Sequence, residues 1–208
     1  MPARGAPAVL AVALAAALAP FGARAASFIG ANLGQSSYSG GPVCFGSGPC
    51  DKTDSAWSVR AGYALPFVSV EARYFDLGRA RGEQHFSADG ASISIPSQFK
   101  ASGLGAGAQA AVPIMPFLAV TALAGVSRVR ARIEVSDVAV SGLGGTASAQ
   151  LLGFSGTRTT TQPYYGLGLR FTFAPGFDAS LDAQRYRADV GGGKADIDFY
   201  GVGLTYRY

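Results

Sequence analysis

Asp196-Ile-Asp-Phe-Tyr-Gly-Val-Gly-Leu-Thr-Tyr-Arg-Tyr208 alternates through its whole length. Tyr200, Val202, Leu204, Tyr206 and Tyr208 share one side of a period-2 strand, and Phe199, Gly201, Gly203, Thr205 and Arg207 share the other. The first face is a continuous apolar stripe with aromatic ends. The second is mostly small or polar. A sandwich strand in water also alternates, so periodicity alone leaves the fold open. The sequence stops here on an aromatic residue, which points to the closing strand of a transmembrane β-barrel, apolar toward lipid and polar toward the lumen.

The other end of the chain agrees. Arg4 supplies a short basic region, residues 9–18 form an Ala/Leu/Val run, and Ala23-Arg24-Ala25 has the A-x-A form of a cleavage site. An apolar run of about 10–12 residues is a secretory signal peptide, since a spanning helix needs about 20. Residues 1–25 are therefore expected to be the leader and 26–208 a single barrel domain, with bacterial export to the outer membrane. No later stretch is apolar for long enough to span as a helix, so strands must do the crossing.

Without Arg4 and Arg24 the 17 basic residues fall to 15, against 13 acidic ones. That near-balance, in an exported chain, argues against a nucleic-acid partner. The 29 glycines follow no strict period of three, which excludes a collagen-like rod, and only 14% of residues are charged. Cys44 and Cys50 are the two cysteines, both in one Gly/Pro/Ser-rich segment. In an oxidising compartment they are expected to pair around a small loop, two free thiols being the alternative. A metal site would need two further ligands, and the one histidine, His85, is distant in sequence. Neither a metal nor a cofactor is expected.

Eight alternating segments can be marked, at 27–35, 56–65, 68–77, 102–112, 117–130, 164–173, 177–187 and 196–208. Trp57, Val59, Ala61 and Tyr63 oppose Ser58, Arg60, Gly62 and Ala64 in the second, and the others follow suit. Short turns near Pro66, Pro113 to Pro116 and Pro175 interleave with longer polar segments at 36–55, 79–98, 131–161 and 188–195. Short periplasmic turns and longer outer loops are the pattern of outer-membrane barrels. The fold class expected is all-β: an eight-stranded antiparallel up-and-down transmembrane barrel, monomeric.

The segment Cys50-Asp-Lys-Thr-Asp-Ser-Ala-Trp-Ser-Val-Arg-Ala-Gly-Tyr63, followed by Val68-Ser-Val-Glu-Ala-Arg-Tyr-Phe-Asp-Leu-Gly78, resembles the opening hairpin of the outer membrane protein A-like barrel family. The resemblance covers the mature chain in pattern and is specific in this hairpin and the last strand. It implies the barrel without the peptidoglycan-binding domain that some members carry. Gly203-x-x-Tyr206-x-Tyr208 also resembles the C-terminal signal read by the bacterial barrel-assembly machinery, with Gly201 where that signal has a polar residue.

Parity places Arg60, Glu71, Arg73, Gln109, Arg170, Asp182, Gln184 and Arg207 on lumen faces. Buried charges need partners, and an eight-stranded barrel is just wide enough for side chains to fill it. The expectation is an ion-pair and hydrogen-bond core that plugs the lumen, with four inward arginines and two inward acids; a small conducting porin is the alternative. Arg128, Arg130 and Arg132 extend the outward face of the fifth segment, and Arg185 and Arg187 that of the seventh. About ten tilted residues cross the hydrocarbon, so both rows should emerge among the phosphates of lipopolysaccharide, which arginine binds through bidentate charge-assisted bonds.

Two motifs read more blandly. His85-Phe86-Ser87, with Glu83 and Asp89 nearby, has the residue types of a hydrolase triad. It falls in an expected surface loop, so a solvated histidine is expected and a lipid A hydrolase is the minor alternative. Gly103-Leu-Gly105-Ala-Gly107 lacks the helix and lysine of a phosphate loop, and is read as room for side chains opposite. The functional expectation is a structural, non-enzymatic surface barrel that contacts outer-membrane lipid. A loop-mediated adhesin or host-factor binder is the runner-up.

Overall fold

The computed structural model describes residues 26–40, 50–65, 68–88, 91–135, 138–142, 145–149, 155–189 and 193–208. Eleven strands occupy them: β1 (Ala26–Ser39), β2 (Cys50–Asp51), β3 (Thr53–Ala64), β4 (Val68–Ala88), β5 (Ala91–Met115), β6 (Leu118–Val135), β7 (Val138–Gly142), β8 (Gly145–Ala149), β9 (Ser155–Ala174), β10 (Phe177–Asp189) and β11 (Lys194–Arg207). The series β1, β3, β4, β5, β6, β9, β10, β11 pairs antiparallel, each strand with the next. β1 and β11 then pair from Phe28 opposite Arg207 to Ser39 opposite Asp196, closing an eight-stranded barrel. Ser27 and Tyr208 exchange backbone bonds of 3.1 and 2.9 Å at the seam. Closure is what lipid demands, because an open strand edge there would leave backbone donors and acceptors without water.

Two described tight turns, at 116–117 and 175–176, lie at the end of the barrel that also holds Ala26 and Tyr208, where the Leu65 N–H donates to the Val68 carbonyl at 2.8 Å. In Ala174-Pro175-Gly176-Phe177 the proline presets its own φ, and Gly176 takes a φ of 78° that a side chain would resist. A Cβ there would also stand 2.7 Å from the Arg207 carbonyl oxygen. The opposite end is uneven. β2 adds to β4, and the β7–β8 hairpin adds to β5, so the β4–β5–β6 side rises above the β10–β11 side.

Along each strand the polarity inverts. In the lower half Ile29, Leu33, Val59, Val70, Leu104, Val126, Leu167, Leu181 and Val202 face outward and are exposed, while Arg60, Glu71, Arg73, Asp178 and Asp182 are buried inside. Higher up the charged residues face out and the apolar ones face in. Arg128, Arg130 and Arg132 alternate with Val129 and Ala131; Lys100 stands between Phe99 and Ala101; Arg185 and Arg187 flank Tyr186. The lower half is dissolved in hydrocarbon and the upper half in water, and the flip marks the boundary.

This inversion corrects the expected loops. Residues 79–98 and 131–161 are largely strand: β4 and β5 stay paired up to Ala88 opposite Ala91, and β6 and β9 up to Glu134 opposite Ser155. A rule that looks for apolar residues outside stops at the membrane surface, where the strands do not. β4 adds a second break in period. It bulges between Asp76 and Arg79, with Gly78 at φ 70°, so the buried positions switch from Phe75 and Leu77 to Ala80 and Gly82. The hydroxyls of Ser36 and Tyr38 donate to the Leu77 carbonyl at 2.5 and 2.8 Å and hold the bulge.

Candidate functional site

The lumen is filled by two stacked layers. The lower one is polar. Glu71 of β4 accepts from Arg73, two residues along the same strand face, through Nε at 2.8 Å and through Nη2. Arg73 Nη1 donates across the barrel to Gln184 at 2.5 Å and to the Tyr186 hydroxyl at 3.0 Å. Asp182 accepts from Asn32 at 2.5 Å and from Ser180 at 2.6 Å. Nearer the turns, Arg60 donates to Thr205 at 2.8 Å, Arg170 to Gln109 at 2.5 Å, and Arg207 to Asp178 at 2.5 Å.

The upper layer is aromatic and aliphatic. Tyr164 and Tyr186 stack at 5.3 Å with planes 5° apart, Phe75 leans on Tyr186 at 4.5 Å, and Tyr38 meets Phe99 edge-on at 5.6 Å. Leu77, Val129, Ile197 and Phe199 complete it. The glycines of the Gly103-x-Gly105-x-Gly107 run make room for these rings. A Cβ on Gly103 would lie 2.8 Å from the Phe75 ring, and one on Gly107 would lie 2.6 Å from the Tyr164 hydroxyl.

Each of Arg60, Glu71, Arg73, Gln109, Arg170, Asp182, Gln184 and Arg207 points into the lumen; Arg207 sits at its rim and is partly exposed. The count of inward acids needs correction. Asp178, at the first turn of β10, is a third one, buried between Arg207 and Thr172. It shares the parity of Ser180, Asp182 and Gln184 at the very start of β10. Asn32 and Tyr164 join the lumen residues, as the alternation of their strands requires.

Outside, the two arginine rows are not equivalent. Arg185 makes a two-point pair with Asp198 at 2.6 and 2.8 Å, and Arg187 pairs with Asp196 at 2.7 Å. The β10 row is thus neutralised by acids directly opposite on β11. Arg132 pairs with Glu134 at 2.7 Å, whereas Arg128 and Arg130 face outward with no carboxylate partner among the described residues. Arg79 and Lys100 stand beside Arg132 in register on β4 and β5, with Lys100 also 3.0 Å from Asp76. The basic surface therefore runs over β4, β5 and β6 rather than across β9 to β10.

Of the remaining sequence expectations, Gly203 faces the lumen close to Ser180 and Asn32, and Tyr206 and Tyr208 stack outside at 5.9 Å. His85 lies in the paired part of β4 opposite Ser94, not in a loop, because β4 continues past the bulge. Its side chain and that of Ser87 fall outside the described residues, as do Asp89, residues 1–25 and Cys44. Cys50 opens β2, opposite Gly82. Among the described residues no group of acidic, histidine or cysteine side chains could hold a metal ion.

The sequence from residue 6 to 208 matches the model of the outer membrane protein beta-barrel domain. The chain belongs to that family. The outer membrane protein beta-barrel domain places it in the bacterial outer membrane, in accord with the apolar outer belt. No curated protein matches the chain. Among solved structures it is similar to Neisserial surface protein A, at 16% identity over 88% of this chain and 97% of that one, with a TM-score of 0.56. It is similar also to the attachment invasion locus protein Ail of Yersinia pestis in complex with the heparin analogue sucrose octasulfate: 19% identity, 89% and 100% coverage, TM-score 0.51. Outer membrane protein AlkL in lipid bilayers follows at 11% identity, 91% and 93% coverage, TM-score 0.50. At these identities the likeness is one of fold.

Proposed function

We propose that this barrel is a structural surface protein that presents its outer strands and loops, not a pore and not an enzyme. One observation carries the reading: two different layers close the same lumen, a hydrogen-bonded polar one and an aromatic one above it. An ion would have to displace both. The work of the molecule then falls to its outer surface. Planar-bilayer recording of the refolded chain tests this; the expected trace is flat, and steady ohmic steps would favour the small porin and overturn the proposal.

The β4–β5–β6 wall above the membrane favours a second, compatible reading. Arg128 and Arg130, continued by Arg132, Lys100 and Arg79, form an anion-binding face at the level of the outer headgroups. Arginine suits lipopolysaccharide phosphate, and charge near the interface costs only about 0–1 kcal/mol. Arg185 and Arg187 contribute less, because Asp198 and Asp196 already hold them. Ail was solved with a polysulfated ligand, which makes an anionic surface or host ligand a sensible probe here as well. Changing Arg128 and Arg130 to Gln should remove a lipopolysaccharide-dependent gain in barrel stability that wild type shows over plain phospholipid. Equal gains in both would return these arginines to the role of solvated charges. A pull-down with residues 41–49 and 143–154 shortened separates a loop-mediated adhesin from a purely structural barrel. We also infer that residues 1–25 are a cleaved leader, that Cys44 and Cys50 form a bridge, and that Gly203, Tyr206 and Tyr208 are read by the assembly machinery.

A further inference from the structure

A cavity of about 10 Å³ lies in the lumen just inside the periplasmic mouth, among Arg60, Arg170, Arg207, Asp178, Gln109 and Thr205. Three guanidinium groups thus surround a space about one small sphere across. Arg60 is the informative one. Its side chain is 3% exposed, and its Nη2 is engaged by Thr205, yet neither Nε nor Nη1 has a hydrogen-bond acceptor. Glu71 Oε2, itself without a hydrogen-bond partner, stands 3.8 Å from Nη1, an ion-pair contact too long for a hydrogen bond. Arg207 Nε, on the other wall of the cavity, is in the same position.

The charges do not balance either. Among the described residues Arg60, Arg73, Arg170 and Arg207 face Glu71, Asp178 and Asp182, an excess of one positive charge in the lumen. Glu71 is held by Arg73, and Asp182 by the neutral side chains of Asn32 and Ser180. Around the cavity itself, Asp178 answers Arg207, and Arg60 has only a 3.8 Å contact with Glu71, which Arg73 also holds. Buried charge without a counter-charge is costly, and a buried donor without an acceptor adds to the cost.

We propose that the cavity is a binding site for one small monovalent anion, chloride in the first instance. The ion accepts from Arg60 Nε–H and from Arg207 Nε–H. The excess of one positive charge calls for one negative charge, and the small volume favours a monatomic ion. Access is from the rim, where the Arg207 side chain is a third exposed. A water molecule fits the volume and accepts the same hydrogen bonds, but leaves the charge in place. The ion is therefore a built-in counter-charge of the lumen, which sets this barrel's stability by the salt around it.

The full chain, refolded in detergent micelles, is unfolded with urea in chloride and in gluconate at equal ionic strength. Gluconate is too large for the cavity. Chloride should raise the unfolding midpoint over gluconate. Above the dissociation constant, each tenfold rise in chloride should raise the folding equilibrium constant towards tenfold, as one bound ion requires. Crystals grown in bromide should show one anomalous peak between Arg60 and Arg207. Two variants guard against a folding failure: Arg60→Gln removes the buried guanidinium charge, and Thr205→Asp supplies a fixed carboxylate beside Arg60. Both should unfold at the same urea concentration in chloride and gluconate. Equal midpoints for wild type in the two salts with no bromide peak would mean that the cavity holds water only, and would overturn the proposal. A chloride dependence that persisted in Thr205→Asp would place the effect elsewhere and overturn it too.

Discussion

Arg73 on β4 donates to the Tyr186 hydroxyl on β10 at 3.0 Å, and that bond joins the polar half of the lumen to the aromatic half. Arg73 also lies 5.4 Å from the centre of the Tyr164 ring, which stacks on Tyr186. A single guanidinium thus engages Glu71 Oε1 and Gln184 below and two rings above. The planar, five-donor geometry of arginine suits the position, and lysine would not reproduce it. The strands cross from lipid to water at this level, so the tie sits where the outer surface also changes character.

Glu71 is the acid that this arrangement depends on. Its side chain is fully buried and accepts from Arg73, with Arg60 3.8 Å away. Glu71→Ala should destabilise the barrel by roughly 3–5 kcal/mol, because it strands buried positive charge. Urea unfolding in micelles, followed by tryptophan fluorescence, reads the change. Wild-type stability would show that the arginines find other partners.

Gly125 on β6 faces the Tyr164 ring, and a Cβ there would stand 2.6 Å from Cε1 and 2.3 Å from the Ala106 carbonyl oxygen. Gly125→Val should cost about 1–3 kcal/mol through overpacking against backbone that cannot move away. A combined Gly125→Val, Tyr164→Ala variant should recover part of that loss if the ring is the obstacle. No recovery would put the clash on the backbone alone.

The aromatic layer is the upper seal. Truncating Phe75 and Tyr186 together to Ala removes two rings packed at 4.5 Å. Water should then reach the polar layer, and noisy openings should appear in planar-bilayer recordings where wild type is silent. A variant that stays folded and silent would assign the seal to the polar layer alone.

Deleting Tyr206 to Tyr208 removes two outward rings that stack at 5.9 Å and the seam bonds between Tyr208 and Ser27. The truncated chain should reach the outer membrane of expressing cells at a fraction of the wild-type level. Undiminished levels would separate this tail from assembly.

Reduction of the proposed Cys44–Cys50 bridge should leave the barrel intact, since it closes a very short loop and short loops gain least from a cross-link. Wild type should keep its heat-dependent shift in gel mobility with reductant present. Loss of that shift would mean that the bridge holds β2 against β4 and, through it, the wall.

The sequence by itself determined the membrane-spanning half. Period-2 alternation is a local property, and the contrast between Leu33 or Val202 outside and Asn32 or Gly203 inside is legible from the chain because lipid and lumen impose opposite chemistry on successive residues. It likewise put Arg60, Glu71 and Arg73 on one face. Only the tertiary structure decided which of those groups meet, since the partners of Arg73 lie more than a hundred residues away on β10. It also revealed that strands persist above the membrane with their polarity reversed, because the pattern changes its meaning when the solvent outside changes from hydrocarbon to water. Whether an arginine is free or spoken for was equally beyond the sequence: Arg128 and Arg185 look alike in the chain, and the acid Asp198 on the adjoining strand makes them different.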